Sequence, residues 1–368
     1  MTQITRKEIE DGMILFCRSG SHAYGLNTES SDLDYKGVCI APRRFYVTLS
    51  DFEQKDKGWD EEYFPETKFP QLDKSDTVIY EVRRYLRLLM AQNPNILEML
   101  WQEPEDYIHL TELGQILIDH KHQLVSKKIA GTFVNYARAQ IKKMETHRKW
   151  LLNPPTKRPS WEDYGVAVPN LTNTQIEAFI EYLYLLIKDR IEYYQQAEDL
   201  HDILYKQVDW KSVLKQSIMP EECFQMTQAI TNASDEYMQL LRISQQYRAD
   251  LKRWNNYQDW LKNRNQKRFE IESKCRYDGK NASHCVRLMT MAIETMKTGE
   301  IIVNRKKAGD VNFLLDIKYG KITYSELKDI VDSLFKTAEY VIKNECNLPN
   351  TVNYELINHL CERIIYGS

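Results

Sequence analysis

From about Thr111 to the end of the chain, apolar residues recur at helical spacing almost without a break, while the strand-like runs lie before residue 83. A chain built this way has only a short stretch from which to make a sheet. The expected fold class is therefore α+β: a small N-terminal α/β domain followed by a larger all-helical domain, with boundaries at 1–105 and 106–368. The strand expectations are 13–17 (MILFC), 32–40 (DLDYKGVCI) and 77–82 (TVIYEV). The acidic stretch 51–75 reads as a surface connection. A helix follows the third strand and stops at Asn93-Pro94-Asn95, after which ILEMLW starts another. Further helices are expected over 116–150, 172–196, 213–251 and 282–297, with two more in 324–365, and a loop over 151–171. Thr172 and Gln175 have capping-box spacing, and Gly299 closes the 282–297 helix.

The composition is that of a globular protein, with 42% hydrophobic and 28% charged residues and a formal net charge of -3. That balance neither requires nor forbids nucleic acid, because local patches decide such binding. The 7 cysteines are odd in number and lack a CxxC pair, so they read as reduced core residues rather than as disulfides or a zinc site. The opening residues, MTQITRKEIEDG, have no apolar stretch of the signal-peptide kind, and no run is long enough to span a bilayer. A cytoplasmic location is expected.

The stretch with most chemistry in it is Ser19-Gly20-Ser21-His22-Ala23-Tyr24-Gly25, followed by Ser31-Asp32-Leu33-Asp34. A Gly-Ser turn at a helix start offers backbone N–H groups and a hydroxyl to a phosphate. Gly20 permits close approach, and Ser21 can donate through its side chain. Asp32 and Asp34 are two residues apart, which on a strand puts both carboxylates on one face. Two like charges side by side favour a cation between them, and Mg²⁺ takes carboxylates together with water and phosphate oxygens. A DxD after a serine is also an ordinary solvated turn. It is the ordered combination that points to a phosphate and metal site.

The run GSHAYGLNTESSDLDYKGV resembles the signature of the nucleotidyltransferases related to DNA polymerase β: Gly-Ser, a spacer, then Asp-x-Asp. More narrowly, it is similar to the nucleotidyltransferase family found beside RNA ligase and RNA repair genes in bacteria and phages. The likeness continues through DTVIYEVRRYLRLLMAQNPNILEMLW, FVNYARAQIKKM and KNASHCVRLMTMAIETMKTGEIIV, but leaves 155–270 unmatched. The resemblance implies that Asp32 and Asp34 hold two Mg²⁺ ions and that a third carboxylate from a neighbouring strand completes the site. Asp76 is the expected third carboxylate, and Glu81 on the same strand is the other candidate. It implies NMP transfer from an NTP to a hydroxyl acceptor with release of pyrophosphate, the acceptor being RNA, such as a tRNA 3′ end.

Lys280, His284 and Arg287 fall at i, i+4 and i+7 and share one helix face, which suits a triphosphate or an RNA phosphate. A solvated basic stripe has the same spacing. His284 could equally be a buried hydrogen-bonding residue. Glu98, after Asn93-Pro94-Asn95, reads as mainly structural. His147 sits on a basic helix that could face RNA, and 252–268 interleaves basic and aromatic residues, although both patterns are also those of ordinary helix faces. Two other functions use the same fold: nucleotidylation of a protein or small molecule, and a non-catalytic nucleotide-binding module. The last would predict a broken carboxylate pair, and both Asp32 and Asp34 are present.

Overall fold

The computed structural model describes residues 3–29, 31–56, 67–73, 76–165, 173–193, 209–215 and 219–367. A five-stranded mixed sheet lies in the N-terminal part, in the order β3-β4-β2-β1-β5. Its strands are β1 (Met13–Ser19), β2 (Asp34–Cys39), β3 (Gln54–Lys55), β4 (Asp76–Glu81) and β5 (Tyr107–Leu110). β2 and β4 pair in parallel, while β1 pairs antiparallel with β2 and β5, and β3 antiparallel with β4. β1 lies between β2 and β5 and is buried on both faces, which is why it reads as one continuous apolar run.

The helices that bear on the site are α1 (Arg6–Asp11), α2 (Gly20–Ala23), α3 (Val82–Met90), α4 (Pro94–Leu97), α5 (Glu112–Asp119), α6 (Lys128–Leu152), α7 (Gly279–Thr298), α8 (Val311–Lys318), α9 (Tyr324–Asn344) and α10 (Tyr354–Tyr366). Their ends follow local chemistry. Asn93 caps α4 through Asn95 N, with Pro94 at the first helical position. Asp278 caps α7, and Gly299 at φ 77 closes it. Thr323 and Glu326 form a capping box on α9.

Two compact units result: 1–151 together with 267–368, and 152–266. In the first, the main core runs from Leu15 and Val38 through Leu86, Leu100 and Phe133 to Met289, Leu314 and Leu360, so residues from both ends of the chain share one interior. A smaller core of Phe16, Tyr35, Phe45, Phe69 and Ile79 covers the other face of the sheet. The second unit has its own core around Trp161, Ile187, Trp210 and Leu241. Trp161 stacks on Tyr247 at 4.3 Å, and Tyr164 donates to Asp250 at 2.7 Å.

The architecture is the expected α+β arrangement, and several details differ from the sequence reading. β5 falls in a stretch to which the sequence reading assigns no strand, within the expected helical domain 106–368, because YIHL is too short to show alternation. β2 starts at Asp34, so Asp32 precedes the strand instead of lying in it. The helix expected over 116–150 is interrupted: α5 ends at Asp119, a 3-10 turn covers Lys121–Leu124, and α6 begins at Lys128. The expected loop over 151–171 contains the 3-10 turn Trp161–Tyr164, and Thr172 of the expected capping box lies outside the described residues, as do 194–208. All 7 cysteines are free. Among the described residues no helix is long and apolar enough to cross a membrane.

Candidate active site

The parallel pairing of β2 and β4 puts Asp34 directly opposite Asp76. Neighbouring strands lie about 4.8 Å apart, and register partners point to the same face. Asp34 is half-buried and Asp76 is exposed at the mouth of the strand. Burial raises the Asp34 carboxyl above its ordinary value, and the Asp76 charge raises it further. Lys280 and Lys36 oppose the rise, and Asp32 adds slightly to it. The uncompensated negative charge therefore lies where the two strands begin, with Asp32 exposed just before β2.

The Gly-Ser turn borders that charge. Ser19 ends β1 opposite Asp34, and Gly20 then enters the one-turn α2 with φ +62. A Cβ on Gly20 would come 1.9 Å from Asp34 Oδ2. Glycine is thus required twice, by backbone conformation and by the carboxylate against it. Gly20→Ala should lose about 1–2 kcal/mol of stability from conformation alone. Because Asp34 must also move, the variant should weaken any Mg²⁺ binding at that carboxylate more than this loss accounts for. Urea denaturation beside a Mg²⁺ titration would check this, and unchanged metal affinity would count against it. Ser21 accepts a bond from Leu26 N at 2.9 Å through its carbonyl, which closes the turn.

Glu81 lies elsewhere. Five residues from Asp76, it points to the opposite face of β4. It is buried, caps α3 through Arg83 N and Arg84 N, and accepts from Tyr46 Oη at 2.9 Å. Its carboxylate is committed to ending the strand and starting the helix.

On α7 the three basic positions have different surroundings. Lys280, in the first turn, is exposed. His284 is pushed down to about 3 by burial, with Arg287 and Lys280 adding to the effect. A neutral imidazole can donate or accept a hydrogen bond to a nucleotide without carrying charge. Its depressed value also sets a pH dependence. Below about pH 6.5 the unfolded chain takes up a proton that the folded one refuses. Stability should therefore be unaffected by His284 above that pH and should fall as pH drops toward 3. The His284 ring signal should not titrate between pH 8 and pH 5 in NMR, and a titration near 6.5 would contradict the buried setting. Arg287 is buried, and its guanidinium donates to Glu98 Oε1 at 2.8 Å and lies over the Tyr24 ring at 3.5 Å.

These contacts belong to a network that sequence reasoning only touched. Tyr24, just after α2, donates to Glu98 Oε2 at 2.6 Å. Lys36, on the same face of β2 as Asp34, donates to Asn95 O at 3.1 Å, and burial lowers its ammonium below the ordinary value. Glu98 thus links the Gly-Ser turn to α7. The only sequence signal for it was an acid in an apolar run after Asn-Pro. Arg305 gave none at all. It is fully buried, binds Glu294 and Asp310, and its backbone N–H donates to Tyr24 O at 3.0 Å. His147 is also buried, with Nδ1 2.5 Å from Asp278 Oδ2. Arg268 pairs with both Asp278 and Glu272. In the basic and aromatic stretch, Tyr257 stacks on Trp260 at 5.9 Å, and the Arg264 guanidinium lies over Trp260 at 4.8 Å.

Among the described residues no group of three or more acidic, His or Cys side chains is gathered as a ready metal cage. The oxygen donors nevertheless suit Mg²⁺, which keeps several waters and needs only one or two carboxylates beside substrate phosphates. Asp34 and Asp76, opposite each other across β2 and β4, would supply that pair.

The RNA repair pathway DNA polymerase beta family matches the chain over residues 1–186, half of its 368 residues. An uncharacterized 38.9 kDa protein from the nrdC-mobD intergenic region of Enterobacteria phage T4 is 23% identical over 335 residues, covering 88% of this chain and 89% of the phage protein. No solved structure matches.

Proposed function

The chain belongs to the RNA repair pathway DNA polymerase beta family, and on that premise we propose that it is a Mg²⁺-dependent nucleotidyltransferase that moves NMP from an NTP to an RNA 3′ hydroxyl. The observation that carries this reading is the Asp34–Asp76 pairing across parallel strands, with Gly20 packed against the Asp34 carboxylate. Asp32, Asp34 and Asp76 would hold two Mg²⁺ ions, which when bound lower the pKa of the attacking hydroxyl and neutralise the phosphates. Gly20 and Ser21 cradle the phosphates at the turn, and Lys280 and His284 contact them from α7. Arg287 acts one turn further along, where its bond to Glu98 and its place over Tyr24 hold α7 against the turn. Residues 1–105 supply the transfer chemistry and the phosphate turn, and 106–368 the further nucleotide and acceptor contacts.

In the reaction the acceptor oxygen bonds to the α-phosphorus. The bond from that phosphorus to the bridging oxygen breaks, and pyrophosphate leaves. The hydroxyl proton passes to Asp76, whose carboxylate is exposed at the strand end. The test is incubation of the protein with Mg²⁺, each α-labelled NTP in turn, and total RNA. Label in RNA supports the reading and names the nucleotide. Label only in protein or in a small molecule would remove the RNA acceptor, and no label anywhere would remove the transfer chemistry.

A further inference from the structure

Beyond the residues already placed, one more cation lies beside the Gly-Ser turn. Lys318 ends α8, and its Nζ donates to Leu26 O at 3.1 Å. The same Leu26 bonds through its N–H to Ser21 O at 2.9 Å, so the lysine is tied to the loop that closes the turn. The start of α7 packs directly on this point. A Cβ on Gly279 would come 2.3 Å from Lys318 O, so Gly279 lets the two helices abut and brings Lys280 beside Lys318. The electrostatics agree: burial lowers the Lys318 ammonium, and Lys280 and then Arg268 lower it further. Arg268 is neutralised by Asp278 and Glu272. Among the described residues neither Lys280 nor Lys318 has a carboxylate in salt-bridge contact, and Lys280 is near enough to Lys318 to disfavour its charge. Like charges placed this way are unfavourable until an anion arrives. Lys280 is also near enough to Asp34 to lower its carboxyl, which sets that lysine beside the carboxylates.

We infer that Lys318 and Lys280 together form a phosphate subsite that takes the terminal phosphates of the NTP, with Lys318 bridging those phosphates to the Leu26 carbonyl of the Gly-Ser loop. A lysine ammonium has three donors, so it can keep the carbonyl bond and still give two to phosphate oxygens. The inference rests on the nucleotidyltransferase reading and assigns one more substrate contact within it.

Calorimetric binding of inorganic tripolyphosphate, ATP and AMP to the full chain tests it, using wild type, Lys318→Met and Lys318→Arg. Lys318→Met should weaken tripolyphosphate and ATP roughly tenfold, as expected for loss of one charge-assisted contact, and AMP less than about twofold. Lys318→Arg should restore most of the loss. Equal weakening of ATP and AMP would mean that the lysine only holds the loop, and would overturn the subsite. Unchanged tripolyphosphate and ATP affinity would overturn it too. If that unchanged affinity came with weaker binding of a 5′-phosphorylated RNA oligonucleotide, the lysine would belong to the acceptor. Failure of the wild type to bind either ATP or tripolyphosphate would instead remove the nucleotidyltransferase reading on which the inference stands.

Discussion

Asp34→Asn should reduce nucleotide transfer by roughly 10³-fold or more, while leaving the metal-free protein at least as stable as the wild type. The two effects have one cause. Asp34 is half-buried opposite Asp76, and burial and the Asp76 charge both disfavour its ionised form. An asparagine of the same shape removes that repulsion, so the fold gains or is unchanged. In the proposed mechanism the same negative charge is what draws the metal, so its loss removes the catalytic centre. Single-turnover transfer rates measured beside thermal melts with and without Mg²⁺ would check this. Wild-type melting should rise with Mg²⁺, and that of the variant should rise much less. A variant that kept more than about a tenth of the wild-type rate would place the metal site elsewhere.

Glu98→Ala should cost about 3–5 kcal/mol of stability, the range for breaking a buried ion pair from one side. Glu98 and Arg287 are each only 2% exposed in their side chains. Without Glu98 the Arg287 charge stays buried, Tyr24 Oη loses its acceptor, and the Lys36 charge loses a carboxylate that offset it. Replacing both members, Glu98→Leu with Arg287→Met, should recover most of the loss, because no buried charge is then stranded. Urea denaturation of the three proteins would decide the matter, and a double variant no better than the single one would argue against the pair as the cause. Burial on its own would raise the Glu98 carboxyl, but Arg287, Lys36 and the Tyr24 bond outweigh it, and the net direction is down. A lowered carboxyl contributes stability that is present above the ordinary glutamate value and is lost as pH falls through the lowered one. Acid denaturation of the wild type should therefore include this group, and the double variant should lack that component.

Function and stability meet at Tyr24. Its ring lies under Arg287, its hydroxyl bonds to Glu98, and its carbonyl accepts from Arg305 N. The Gly-Ser turn is thus held from three sides by residues far away in sequence. In the proposed reaction the turn meets phosphates at close range, and such support would serve it there, because small displacements of reacting groups are costly in rate.

Local sequence determined several things about this protein. The apolar run of β1, the Gly-Ser turn after it, the carboxylates beyond, and the long helices with their caps at Asp278, Gly299 and Thr323 all follow from the spacing of near neighbours. Side-chain direction and hydrogen bonding to the backbone within a few residues set such features. Other features needed the folded chain. Asp76 stands opposite Asp34 only because β2 and β4 pair in that register, and Glu81 goes to the far face because strand side chains alternate. β5 is too short to declare itself and exists because β1 offers an edge for it. Arg287 and Lys280 share one helix face, yet Arg287 is drawn into the core by an acid 189 residues earlier in the chain while Lys280 remains exposed. The return of residues 267–368 to the N-terminal core could not be read from either segment. Periodicity records only that a face will be buried. What it is buried against depends on contacts between distant segments, and those are decided when the whole apolar surface finds its lowest free energy together.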